Sequence, residues 1–207
     1  MESEPSDLMP STSLARLRRE AAGCHACPLW RRGTQTVFGE GSNDARIVLI
    51  GEQPGDKEDL SGRPFVGPAG RLLDRALEDA KIARDRIYVT NAVKHFKWTP
   101  RGKRRIHQRP TPNEVSACRP WLDAELATLH PDAIVCLGAT AAQALLGRDF
   151  RVSEQRGEWV ASELAPNVLA TLHPSALLRR TDAAQREADY ALFVRDLRKV
   201  SRRVATG

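Results

Sequence analysis

The 207-residue sequence has no run of about 18 consecutive apolar residues, so no segment of it is expected to span a membrane. The first ten residues lack the basic start and the apolar stretch of a secretory leader. We therefore expect the protein to be cytoplasmic. Aromatic residues are scarce, at 5%, but the 41% of hydrophobic residues can build the core of one sizeable domain.

Acidic residues are absent from residues 86–113, although the whole chain contains 26 of them. This segment includes the motif Lys103-Arg104-Arg105-Ile106-His107, and seven Lys or Arg residues lie from Lys94 to Arg109. Such a segment attracts nucleic-acid phosphates, and the rings of Phe96 and Trp98 could stack on bases. A solvated charge run or a localisation signal would have the same composition. The net charge of +6 favours a polyanionic partner.

Cysteines are few, and two of the four are closely spaced. They are Cys24, Cys27, Cys118 and Cys136. In a reducing compartment, two structural disulfides are not expected. The Cys24-His25-Ala26-Cys27 spacing is typical of a metal or redox site.

Apolar runs that end in turn residues predict four strands alternating with helices. Strands are predicted at 46–51, 87–91, 133–137 and 168–172. Helices are predicted from Ser11 or Ser13 to Ala22, and at 72–80, 112–129, after Gly138 and at 190–200. This alternation indicates an α/β fold, a single-domain three-layer sandwich with a four-stranded parallel sheet flanked by helices.

Residues 1–10 are expected to form a flexible tail, and residues 11–207 one domain with a basic loop insert at 94–111. A loop of this length is unusual in a compact domain and tends to be functional or disordered. Polar residues follow the strands: Glu52 and Gln53, then Asn91, and finally His173. Because ligands bind at the carboxyl ends of parallel strands, these side chains are expected to meet at one edge of the sheet.

Five short motifs occur in a specific order along the chain. They are Cys24-x-x-Cys27, Gly51-Glu-Gln-Pro-Gly55, Gly62-Arg-Pro-Phe-Val-Gly67, Thr90-Asn91 and Leu172-His-Pro-Ser175. Together they resemble the iron–sulfur uracil-DNA glycosylases over residues 12–200. The Lys103–His107 insert resembles the UdgX branch of that superfamily, which captures uracil-DNA covalently. The resemblance implies a uracil-DNA glycosylase-like fold and uracil-containing DNA, single- or double-stranded, as the partner of a monomeric protein.

The resemblance also implies how uracil would be bound. Asn91 would read the base, since an amide can both donate and accept. Phe65 would stack on the base, Gln53 would offer its backbone N–H, and Asp59 would line the substrate site. His173 would donate a hydrogen bond to uracil O2 as negative charge develops there. A turn-capping Asn, a core Phe and a structural His are the alternatives for Asn91, Phe65 and His173.

His107 is the predicted nucleophile, attacking the anomeric carbon once uracil leaves. Glu52 would orient and activate the imidazole, and Asp56 would be a further catalytic carboxylate. A phosphate-contacting histidine and loop-capping aspartates are the alternatives. Two other functions stay open: a conventional glycosylase that releases uracil and an abasic site, and a non-catalytic metal-cluster protein that binds DNA.

Two further residue sets follow from the same resemblance. The expected DNA contacts are Lys94, Lys103, Arg104 and Arg105, with loop-holding as the alternative for Arg104 and Arg105. The expected ligands of a 4Fe-4S cluster are Cys24, Cys27, His95 and Cys118, because His95 stands where the family has its third cysteine. Binding by all four cysteines and a zinc site with the same ligands are alternatives. Cys136 lies in an apolar run and is expected in the core.

Overall fold

The computed structural model describes residues 13–205, so the predicted tail at 1–10 and Ser11 lie outside the described residues. Eight strands are present in this range. They are β1 (Glu40–Gly41), β2 (Ile47–Gly51), β3 (Ile87–Asn91), β4 (Trp98–Arg101), β5 (Arg104–His107), β6 (Ala133–Leu137), β7 (Trp159–Val160) and β8 (Asn167–Thr171).

Six of these strands form the central sheet, in the order β1-β3-β2-β6-β8-β7. The four inner strands are parallel, with Gly51 opposite Asn91 and Leu137 opposite Thr171 at their carboxyl ends. The short edge strands β1 and β7 run antiparallel to their neighbours. The predicted α/β sandwich is confirmed, but the sheet is mixed and six-stranded. Edge strands of two residues are too short to leave a periodic pattern in the sequence.

Eight α-helices lie within the described residues. They are α1 (Leu14–Ala21), α2 (Asp56–Ser61), α3 (Pro68–Asp79), α4 (Pro112–Leu129), α5 (Ala139–Leu146), α6 (Val152–Gln155), α7 (Pro174–Leu178) and α8 (Ala183–Ala205). Ser13 caps α1, as one of the two predicted caps, and Thr111 and Glu114 form a capping box on α4. None of the helices in residues 13–205 is long and apolar enough to cross a bilayer.

The core consists of two apolar layers, one on each face of the sheet. Alternate strand residues point to opposite faces, so Leu49 and Val135 pack with α3, α7 and α8. Val48 and Ile134 pack on the other face with α1, α4 and α5. Both faces of the inner strands are therefore buried, which explains their continuous apolar sequence.

The basic segment predicted as a loop contains a β-hairpin. Strands β4 and β5 pair antiparallel, with Trp98 opposite His107 and Arg101 opposite Arg104. Gly102, at a φ of 58°, is the first residue of the two-residue turn, where hairpins favour glycine. The hairpin places His107 at its base and its charged turn in solvent.

Candidate functional site at the carboxyl edge of the sheet

Asn91 and Phe65 meet above Gly51, at the carboxyl end of β2. A Cβ atom on Gly51 would collide with Oδ1 of Asn91 and would lie 2.8 Å from Cζ of Phe65. Both side chains are nearly buried, at 3% and 9% exposure. Glycine at position 51 therefore allows the Asn91 amide and the Phe65 ring to approach this strand end closely.

Phe65 is held in an unusual backbone conformation. Its φ is 56°, in the left-handed region that non-glycine residues rarely adopt. A Cβ on Gly70 would collide with the carbonyl oxygen of Phe65, so the first turn of α3 packs directly on this peptide. The ring lies 6.3 Å from the ring of His173, with 28° between the planes. Strained residues of this kind cluster at ligand-binding sites.

His173 reaches the Phe65 ring from the end of β8. Its Nδ1 accepts a hydrogen bond from the backbone N–H of Ser175 at 3.1 Å, so the neutral ring carries its proton on Nε2. Burial lowers the pKa of His173 to about 4, although Glu52 opposes the shift. At neutral pH, His173 is therefore an uncharged hydrogen-bond donor through Nε2–H.

We predict that His173 titrates near pH 4 in the folded protein, compared with about 6.5 for an exposed histidine. Between these values the unfolded chain holds a proton that the folded chain lacks. Stability is therefore lost as the pH falls from about 6.5 to 4. An NMR titration of the ring Cε1–H signals should show a midpoint near 4 that disappears in His173→Gln. A midpoint near 6.5 for His173 would contradict its burial.

His107 lies beside Glu52, as the sequence analysis expected. Nε2 of His107 is 3.2 Å from Oε1 of Glu52, and Oε2 of Glu52 accepts a hydrogen bond from Thr140. Burial would raise the pKa of Glu52, but the hydrogen bonds from His107 and Thr140 outweigh burial and lower it. The carboxylate can thus hold one imidazole N–H and leave a lone pair on the ring. The His107 side chain is 49% exposed, so a ligand in solution can reach it.

The side chain of Gln53 closes the base of the hairpin next to His107. Its Oε1 accepts from the backbone N–H of Lys97 at 3.1 Å. Its Nε2 donates to the carbonyl oxygens of Lys97 and Gln108, at 3.2 and 3.0 Å. These bonds join the end of β2 to both strands of the hairpin. A hydrogen bond from the Gln53 backbone to uracil stays a prediction.

Arg105 ties the hairpin to α2. Its Nε is 2.5 Å from Oδ1 of Asp56, and its Nη1 is 2.6 Å from Oδ2 of Asp59. The guanidinium also lies over the rings of Phe96 and Trp98, 5.4 and 5.6 Å from their centroids. These contacts leave the Arg105 side chain only 19% exposed. These contacts make Arg105 an anchor of the hairpin, which was the expected alternative, and its contact with DNA stays a prediction.

Asp56 and Asp59 both bind Arg105. Asp59 is fully buried, and its carboxylate accepts from the backbone N–H of Thr34 at 2.9 Å and from its hydroxyl at 2.6 Å. A role for Asp59 in lining the substrate site stays a prediction. Asp56 is half-exposed, but Arg105 binds its carboxylate, so Asp56 supports the hairpin that carries His107. Both acids belong to the scaffold of the site.

Lys94, predicted to contact DNA, is buried, with 1% of its side chain exposed. Its Nζ is 2.5 Å from Oε2 of Glu125 and donates to Oγ1 of Thr90 and to the carbonyl of Asn91. Glu125 in turn accepts from the hydroxyl of Tyr88 at 2.9 Å. A buried lysine needs such partners, because an unpaired charge is costly in the core. Lys94 therefore stabilises the carboxyl end of β3, which carries Asn91.

We expect Lys94→Met to lower the free energy of unfolding by about 3–5 kcal/mol, because Glu125 would keep its charge in the core without a positively charged partner. Urea-induced unfolding measures this loss. The matched control is Arg16→Met, which breaks an exposed pair with Glu20 and should cost under about 1 kcal/mol. Equal losses in the two variants would contradict the role assigned to the buried pair.

Most of the chain is similar to known proteins. Residues 38–198 match the family described as Uracil DNA glycosylase superfamily. The chain belongs to the uracil-DNA glycosylase superfamily. A Type-4 uracil-DNA glycosylase of Thermotoga maritima is 42% identical over 160 residues, covering 75% of this chain and 78% of that protein. A Type-4 uracil-DNA glycosylase of Archaeoglobus fulgidus is 37% identical over 186 residues, covering 86% and 90%.

Membership of the superfamily confirms the resemblance drawn from the ordered motifs, while the UdgX branch stays a prediction. The carboxyl edge brings together five of the predicted site residues, which are Glu52, Phe65, Asn91, His107 and His173. Two contributors were missed: Thr140, which binds Glu52, and Arg109, which binds Thr140. Thr140 follows Gly138 at the carboxyl end of a predicted strand, and this position could have indicated that Thr140 belongs to the site.

Three of the four cysteines of this superfamily member lie together. Sγ of Cys118 accepts from the backbone N–H of Lys94 at 3.2 Å, and Sγ of Cys24 accepts from Nε1 of Trp121 at 3.2 Å. Burial, together with smaller contributions from the neighbouring Cys27 and Cys24, raises the pKa of Cys118 to about 11. A thiolate at Cys118 therefore needs a bound cation to be stable at neutral pH.

The other two candidate ligands have different surroundings. Cys136 is fully buried on β6, and burial raises its pKa to about 12, as expected for a core residue. His95 is 5% exposed, and its Nε2 is 3.1 Å from Oγ1 of Thr36. Within residues 13–205, no three His, Cys, Asp or Glu side chains lie close enough to hold a single metal ion.

Proposed function

We propose that this protein excises uracil from DNA and then captures the resulting sugar covalently through His107. The observation that carries the proposal is the 3.2 Å contact between His107 and Glu52, at the same sheet edge as Asn91, Phe65 and His173. A base-excising site needs no nucleophilic side chain there, whereas a trapping site does.

Uracil would bind among Asn91, Phe65 and His173 after it is flipped out of the base stack. The carboxamide of Asn91 can donate to O4 and accept from N3–H, which distinguishes uracil from cytosine. The ring of Phe65 provides a stacking surface. The Nε2–H of His173 would face O2, where negative charge grows as the base leaves, and its low pKa keeps this donor neutral.

The proposed reaction exchanges one bond at C1′ of the deoxyribose for another. The C1′–N1 bond breaks, and its electron pair leaves with the uracil anion. A ring nitrogen of His107 then donates its lone pair to C1′ and forms a C–N bond. Glu52 accepts the hydrogen bond of the other ring N–H and balances the positive charge that the imidazole acquires. An alkylated imidazole is a poor leaving group, so water would not release the sugar.

The exposed turn of the hairpin supplies the proposed DNA contact. Lys103 and Arg104 lie in solvent at its tip, whereas Arg105 and Lys94 point inward. A charged turn on the hairpin that carries His107 would hold the phosphates that flank the flipped nucleotide. The names of the relatives, Type-4 uracil-DNA glycosylase, agree with a uracil-DNA substrate. We propose that a monomer carries out the reaction on single- or double-stranded DNA.

The proposal is tested by mixing the purified protein with a uracil-containing oligonucleotide and boiling the mixture in SDS. A shifted band on a denaturing gel is expected with uracil and not with a matched thymine oligonucleotide. Alkali-labile DNA without a shifted band would instead identify a conventional glycosylase, the alternative function. DNA binding without either product would identify a non-catalytic binding protein.

We also propose that a 4Fe-4S cluster is held by Cys24, Cys27, Cys118 and His95. The three thiols are close enough to influence one another, and two of the sulfurs accept N–H hydrogen bonds, which are common around cluster ligands. Because a cluster spreads its ligands over several irons, it does not need the tight grouping of a single-ion site. Its contribution would be structural, joining the segment after α1 to the start of the hairpin segment.

Iron analysis of point variants tests the ligand set. We expect Cys118→Ser and His95→Ala to lose bound iron and visible absorbance, because each would remove a ligand. Cys136→Ala is the matched control and should keep both, since Cys136 lies in the core. Iron lost from Cys136→Ala and kept in His95→Ala would support binding by all four cysteines. Zinc in place of iron in the purified protein would overturn the cluster itself.

A further inference from the structure

Thr140 completes the surroundings of Glu52. It is the second residue of α5, just beyond the carboxyl end of β6, and it is 7% exposed. Its hydroxyl donates to Oε2 of Glu52, while His107 faces Oε1. Both oxygens of the carboxylate therefore have a donor, one from α5 and one from the hairpin.

Arg109 determines the direction of the Thr140 hydroxyl. Its Nε–H donates to Oγ1 of Thr140 at 3.2 Å, and its Nη2 donates to Oε1 of Gln143 at 3.1 Å. A guanidinium can only donate and a carboxylate can only accept. The single hydroxyl proton of Thr140 must therefore point to Glu52, and Arg109 prevents it from turning away.

We propose that Thr140, oriented by Arg109, is a positioning residue that holds Glu52 in the orientation in which it accepts the His107 N–H. The terminal torsion of a glutamate is broad, so one hydrogen bond leaves the carboxylate free to turn. A second donor on the opposite oxygen removes that freedom. The inference rests on the proposed covalent capture, and it names a residue that decides whether the cleaved sugar is trapped by His107 or lost to water.

Thr140→Val, which keeps the shape of the side chain and removes the hydroxyl, tests the inference. We expect the rate of SDS-resistant adduct formation to fall about tenfold or more, the effect of losing one hydrogen bond to a charged group. More of the cleaved DNA should then appear as alkali-labile abasic sites. The ratio of adduct to abasic DNA is the readout, because general damage to the fold would lower both products together.

Rescue and pH dependence separate positioning from simple packing. Thr140→Ser restores a hydroxyl and should recover most of the adduct rate. The matched control is Thr128→Val on α4, where the Thr128 hydroxyl donates to the carbonyl of Ala124, and it should leave that rate unchanged. Loss of the Thr140 donor raises the pKa of the carboxylate, because the hydrogen bond favours its charged form. The acid limb of the pH–rate profile for adduct formation should therefore move to higher pH in Thr140→Val.

Arg109→Gln is a second variant, useful if Thr140→Val folds poorly, because the Arg109 side chain is exposed. It should cause a smaller fall in the adduct rate, since the hydroxyl stays but is no longer oriented. Wild-type trapping in folded Thr140→Val and in Arg109→Gln would overturn the inference. The wild-type protein alone tests the proposed function, because an absent adduct in that sample rejects covalent capture before any variant is compared.

Discussion

His107→Ser should form no SDS-resistant adduct with uracil-DNA, while it still releases uracil. The hydroxyl of Ser is too short to occupy the position of the imidazole next to Glu52, and it leaves room for a water molecule. Glu52 can then activate that water, since a carboxylate of lowered pKa is deprotonated at neutral pH. The variant should turn over repeatedly and leave alkali-labile abasic sites. Denaturing gels measure the adduct, and alkaline cleavage measures the abasic product.

The control for this experiment is His130→Ser, an exposed histidine at the end of α4. It should trap uracil-DNA like the wild type. An adduct that persists in His107→Ser would show that another residue is the nucleophile and would return His107 to contacting phosphate. Loss of both adduct and uracil release would place His107 in base cleavage itself.

His173→Ala should lose both products. Without its Nε2–H, nothing from β8 would stabilise the charge that develops on uracil O2, and removal of one such donor commonly costs about 10²–10³-fold in rate. Adduct formation must fall by the same factor, because the sugar is trapped only after the base has left. Single-turnover assays with excess protein, following both released uracil and adduct, measure the two rates.

His173→Gln provides the matched comparison, because the amide N–H of Gln can lie near the position of Nε2–H. It should recover part of the rate lost in His173→Ala. Wild-type rates in His173→Ala would contradict the role of this residue as a donor and would leave it as a helix cap that binds the backbone of Ser175. A fall in the adduct alone would assign His173 to trapping instead of cleavage.

Much of the fold could be predicted because its signals are local. Continuous apolar runs such as Ala133–Leu137 become strands buried on both faces, and Pro112 begins α4 as its position in the sequence suggested. Strand ends in a parallel sheet share one edge, so the meeting of Asn91 and His173 near Gly51 followed from strand order. The hairpin was predicted as a loop, because each of its strands has only four residues and β4 contains Pro100, which is unfavourable in strands.

Charged residues were the hardest to place from the sequence. Lys94, Lys103 and Arg105 all lie in the same basic segment without acidic residues. Nevertheless, Lys94 is buried against Glu125 and Arg105 is held by two aspartates. Their partners lie 31, 46 and 49 positions away along the chain. The direction of a long side chain depends on such distant partners, and no local pattern encodes them.

The amino-acid sequence by itself determined the α/β class, the superfamily and the set of residues at the strand ends, because all three depend on local periodicity and on short ordered motifs. Only the tertiary structure decided which charges are exposed at the tip of the hairpin and which support the scaffold. It also decided that Thr140 and Arg109 join Glu52, because this arrangement requires α5, β2 and the segment after β5 to meet in space. The hydrogen bonds and the burial of these side chains depend on the contact between those three segments, so the neighbouring residues in the sequence do not predict them.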